Sequence, residues 1–121
     1  MNRTEAGQPC KGFRDVHICS RFVGLSGVQL DEVASQLRDI PHECRERKNN
    51  KDYVLCIELT CPDVCSRLRG IISMASELRS VHGIFVSMVT DSDSDGTSLP
   101  GFVIEYLQNV GGSLDFSFTV V

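Results

Sequence analysis

HECRERKNNKDYVLCIELT, residues 42–60, decides how the rest of the chain must be read. Its first half is polar and charged, with Asn49-Asn50 at the centre. In its second half Tyr53, Leu55, Ile57 and Leu59 alternate with Val54, Cys56 and Glu58. A period of two is the pattern of a strand, whose successive side chains point to opposite faces. Asparagine tolerates left-handed backbone angles, so a turn is favoured at the centre. The stretch therefore predicts a short exposed strand, a hairpin turn and a second strand. Val54 and Cys56 on the second face predict a central strand with both faces covered. Without the hairpin, a small parallel α/β sheet would be the rival fold.

Working outward, DVHICSRFVGL (residues 15–25) predicts a strand with Val16, Ile18 and Phe22 on one face. SGVQLDEVASQLRDIP (26–41) carries Leu30, Val33, Ala34 and Leu37 at helical spacing, and Pro41 ends the pattern. Ser26 and Gln29 have the spacing of a capping box, with Asp31 as a rival cap. TCPDVCSRLRGIISMASELRSV (60–81) predicts the longest helix. Thr60 and Asp63 have capping-box spacing, and Pro62 suits the first turn. Cys61, Val64, Cys65, Leu68, Ile71, Ile72, Ala75 and Leu78 form one apolar stripe. A strand follows in IFVSMV (84–89), then an acidic loop. LPGFVIEYLQNV (99–110) predicts a helix capped by Ser98 and stopped by Gly111-Gly112. In SLDFSFTVV (113–121), Leu114, Phe116, Phe118 and Val120 face one way and Asp115, Ser117 and Thr119 the other, as in a half-buried strand.

The order β-α-β-β-α-β-α-β predicts an α+β fold, ferredoxin-like or a related sandwich. The sheet is mainly antiparallel, with the helices on one face. Residues 1–14 read as a polar tail and 15–121 as one domain, a size suited to a single core.

Hydrophobic residues make up 41% and charged residues 23% of the 121 positions, a globular balance, and the formal net charge is -4. An acidic chain is a poor match for nucleic acid, whose binders need a basic face. No stretch is long and apolar enough for a signal peptide or a membrane span, which predicts a cytoplasmic protein. In that compartment the six cysteines are expected as free thiols.

DSDSDG, residues 91–96, begins like an EF-hand calcium loop, with Asp91, Asp93, Asp95 and Thr97 where ligands belong. The closing acid is missing: Phe102 stands at position 12 and Leu99 at position 9. The remaining readings are a weak divalent site, a solvated loop, or an acidic contact surface for a basic partner. His42, Cys44, Cys56, Cys61 and Cys65 raise the idea of zinc, but the paired C-x2-C spacing of a zinc knuckle is absent. Cys61 at a helix start could be a reactive thiol, although its place on the apolar stripe predicts burial. His17, His42 and His82 stand in no catalytic motif.

Two stretches carry a family resemblance. FVGLSGVQLDEVASQL (22–37) resembles the strand-then-helix opening of the uncharacterised bacterial domain-of-unknown-function family 4279. SLPGFVIEYLQNVGGSLDFSFTV (98–120) resembles that family's closing pattern: a leucine-led helix, a glycine turn and an LDF strand. Phe118 departs from it, and so does the absence of the tryptophan often found in the family's middle hairpin. The resemblance implies a small cytosolic bacterial domain and transfers no catalytic residue.

The function expected from these features is a non-enzymatic protein-binding domain. Its most specific form is an immunity-type protein that covers the active site of a basic toxin or enzyme domain. The expected contacts are Asp91, Asp93, Asp95, Glu105 and Tyr106, with no cofactor or metal and no membrane or nucleic-acid partner. The alternatives are a small metal- or thiol-dependent enzyme or ligand sensor, and a homodimer formed by pairing the last strand across a sheet edge.

Overall fold

A computed structural model describes residues 14–91 and 98–121. Five strands and three helices follow one another as β1 (Arg14–Leu25), α1 (Gly27–Ser35), β2 (His42–Arg47), β3 (Asp52–Glu58), α2 (Pro62–Met74), β4 (His82–Thr90), α3 (Gly101–Val110) and β5 (Ser113–Val120). A 3-10 helix, Ser76–Val81, joins α2 to β4. The sheet order is β2-β3-β1-β4-β5. The first four strands are antiparallel neighbours, whereas β5 runs parallel to β4. The chain up to β4 is thus a ferredoxin-like split βαβ pair. The added α3–β5 unit extends the sheet past β4, and a parallel neighbour requires such a crossover.

The predicted hairpin forms β2 and β3, but its turn uses a different residue. Lys51, not an asparagine, takes the left-handed angle, with φ 57°. Its amide and that of Asn50 both donate to the Arg47 carbonyl. The Arg47 guanidinium then grips Asp52 through two hydrogen bonds, of 2.7 and 2.8 Å. That contact holds the Asp52 carboxyl below its usual range and fixes the strand register across the turn.

The helices pack on one face only. Phe22 of β1, Leu55 and Ile57 of β3, and Ile84 and Val86 of β4 point into the same core as Val33, Leu68, Ile72 and Val103 from the helices. Each such side chain stabilises the fold by roughly 1.5–3 kcal/mol when fully buried. β3 is interior, as expected, and Val54 on its other face is buried while Cys56 is half-buried, although no helix of the described residues lies over that face.

Four local readings change. Ser26 does close a capping box with Gln29 at α1. At α2, however, the N-cap is Cys61 rather than Thr60, and no side chain caps it. As N-cap, Cys61 precedes the helical turns, so it leaves the apolar stripe and is exposed rather than buried. The predicted single helix also breaks at Ala75, which leaves helical angles (φ -134°, ψ 75°) before the 3-10 helix brings Leu78 back into the core. At α3, Pro100 rather than Ser98 is the N-cap.

Candidate functional site

The face of the sheet away from the helices presents the odd-numbered residues of β1 beside Cys56 and Glu58 of β3 and Ser87 of β4. A groove of about 590 Å³ runs across it, lined by His17, Cys19, His42, Glu43, Cys56 and Glu58, with Pro41 and Ser87 at its margins. His17 is its most polarised group. Its Nδ1 lies 2.9 Å from Glu58 and its Nε2 3.1 Å from Asp15. The hydrogen bond to Glu58, then that to Asp15, raises the imidazole above its ordinary pKa. Cys19 behaves differently: burial is the main cause that pushes its thiol up to about 11, so it is protonated at neutral pH and a weak nucleophile.

Strand direction sorts the charges. The start of β1 lies against the end of β4, which places Arg14, Asp15 and Asp91 at one end of the sheet, whereas Glu43 and Glu58 stand nearer its middle, in the rows of Arg21 and Cys19. The opposite end holds the β2–β3 turn with Arg45, Arg47, Lys48 and Lys51. Asp93 and Asp95 lie outside the described residues.

The other expected contacts separate. Glu105 is exposed on α3. Tyr106 is turned into the core and is only 1% exposed. Its hydroxyl donates to Ser20 Oγ over 2.8 Å, and Ser20 donates in turn to His82 Nε2 over 2.7 Å. The directions follow from the far end of this chain. His82 Nδ1 is 2.8 Å from the Gly111 carbonyl, which can only accept, so Nδ1 carries the proton and Nε2 is free to accept. Tyr106 is therefore a core residue tying α3 to β1, because helical spacing puts it beside Val103 and Val110 on the inward stripe. A serine bonded to an imidazole is a nucleophile's arrangement, but Ser20 is wholly buried and holds the layers together.

His82 gives a pH prediction. Burial lowers its pKa, so the folded state keeps it neutral where the unfolded chain binds a proton. Its stabilising contribution is complete above the unfolded value of about 6.5 and is lost as pH falls below that. His17 acts oppositely: its raised pKa stabilises below about 6.5 and that contribution is lost as pH rises through the folded value. In a His17→Asn background, urea midpoints measured from pH 8 to pH 5 should fall with acid. Adding His82→Gln should flatten that limb. An acid limb of unchanged steepness would clear His82.

Of the residues considered for zinc, His42 and Cys56 line the same groove, but the others stand apart. Cys44 is exposed on β2, Cys61 is at the α2 cap, Cys65 is buried on the helix with its thiol pushed up to about 11, and His42 Nδ1 bonds the Ile40 carbonyl. Among the described residues no three His, Cys, Asp or Glu side chains form a group that could hold a metal ion. Nor is any described helix long and apolar enough to cross a membrane. Comparison with protein-family models, with curated proteins and with solved structures gave no match in any of the three.

Sequence reasoning missed the groove because its residues come from β1, the β2–β3 hairpin and β4, which are separated in the chain. The alternation in β1 signalled only that Asp15, His17 and Cys19 share a face. The apolar row on β5 also differs from expectation. Leu114, Phe116, Phe118 and Val120 share a face but are 40–55% exposed, because β5 is the outermost strand and the helical layer does not cover it.

Proposed function

We propose that this chain is a non-catalytic protein-binding domain whose carboxylate-lined groove receives a basic partner. In its most specific form it is an immunity-type inhibitor that covers the active site of a basic toxin. The observation that carries this reading is the groove on the helix-free face, where Glu43 and Glu58 line the wall and Asp15 joins them through His17. A lysine or arginine of the partner entering that groove would meet Glu43 and Glu58, and Asp91, beyond the end of β4 near Asp15, would add charge outside it. Opposed potentials of this kind speed encounter and exclude acidic competitors.

The test starts with an affinity pull-down of the tagged chain from its native cells, with mass spectrometry of what co-elutes. The expected partner is basic. A double variant, Glu43→Lys with Asp91→Lys, should weaken the complex by about tenfold at low salt and make its salt dependence shallower. An acidic partner, or affinity and salt slope equal to the parent's, would overturn the reading.

A further inference from the structure

We infer that the outer edge of β5 is the seam of a homodimer, in which two copies pair antiparallel about a twofold axis through Ser117. The inference does not depend on the groove. It starts from a contrast between the two edges of the sheet. β2, the other edge, is six residues long and carries Glu43, Arg45, Glu46 and Arg47, the charges that discourage strand addition. β5 is eight residues long, pairs among the described residues only with β4, and carries one charge, Asp115. Its outer backbone groups and its exposed apolar row form an unprotected template for another strand.

A second copy fits this template on both faces. A twofold axis perpendicular to the sheet keeps each face on its own side. Centred on Ser117, it sets Leu114 against the partner copy's Val120 and Phe116 against its Phe118, so the four apolar side chains of one copy meet the four of the other. On the opposite face Asp115 meets Thr119, whose hydroxyl can donate to the carboxylate, and Ser117 meets Ser117. No like charges face each other. Parallel pairing would instead bring the two Asp115 carboxylates side by side. Asp115 keeps its own Arg21, 3.4 Å away, which limits repulsion across the seam. An eight-residue edge is at the small end of specific interfaces, so association on the order of micromolar is expected.

Sedimentation velocity from about 1 μM to about 500 μM should show monomers giving way to dimers over this range. Phe116→Lys should abolish the dimer while circular dichroism keeps the parent's folded spectrum, since Phe116 is exposed. A second variant tests the register. Ser117→Cys should form a disulfide-linked dimer with diamide as oxidant, above the level the parent's own cysteines give, whereas Ser113→Cys should not. A chain monomeric throughout, or a dimer indifferent to Phe116→Lys, would overturn the inference. A Ser113→Cys cross-link as strong as that of Ser117→Cys would overturn the register.

Discussion

Truncating Tyr106 to alanine is expected to destabilise the fold by about 3–5 kcal/mol, the range for removing a buried aromatic side chain. The ring fills space beside Val103 and Val110 and stands edge-on to His82, with centroids 5.4 Å apart. Its hydroxyl also donates to Ser20, so the alanine variant leaves both a cavity and a weakened polar chain in the core. A small domain has about 5–15 kcal/mol in total, so the loss is a large fraction. Tyr106→Phe keeps the ring and loses one hydrogen bond, at about 0.5–1.5 kcal/mol. Glu105→Ala, one residue earlier and exposed, should stay within about 0.5 kcal/mol. Urea denaturation of the three variants gives the order directly. A Tyr106→Ala variant with the parent's midpoint but a lost partner would return this residue to the binding surface and refute its role in the core.

The second large effect is expected at the hinge between α3 and β5. Gly111 and Gly112 both have positive φ, 80° and 111°. A Cβ at Gly111 would meet nothing within 4 Å, so Gly111→Ala is charged only with backbone strain, about 1–3 kcal/mol. A Cβ at Gly112 would overlap the His82 carbonyl as well. Backbone cannot swing aside as a flexible side chain can. Relief requires lifting the start of β5 from β4, where Gly83 and Ser113 begin the parallel register. Gly112→Ala should therefore cost about 3 kcal/mol or more and release the β5 amides to hydrogen exchange before those of β1. Equal losses at the two glycines would show that the His82 contact does not govern the join.

The residues explain which parts of this fold could be read from the chain. Alternation in residues 53–59 and the hydrophobic spacing of residues 64–72 are local patterns, and each produced the element expected. So did the Ser26–Gln29 capping box and the double-glycine stop. The capping assignments at Thr60 and Ser98 failed because spacing alone does not show which residue leaves helical angles first. The break at Ala75 was hidden because the apolar stripe continues through it to Leu78.

The candidate site was legible only in part. Asp91 and Glu105 are exposed and Tyr106 is buried, and the local pattern told Glu105 from Tyr106 only by which side of α3 faces the core. Ser20 shows the same limit. It lies on the inward face of β1 between Ile18 and Phe22, and a polar residue there is tolerable only because Tyr106 and His82 arrive from 86 and 62 residues away.

What the sequence determined by itself was the kind and order of the elements, because hydrophobic period, caps and turn residues act over a few positions. What only the tertiary structure decided was which of those elements are neighbours. That choice put Tyr106 in the core and drew His17, Glu43 and Glu58 around one groove. It also left the apolar row of β5 uncovered, since a strand's second face is buried only if another layer reaches it.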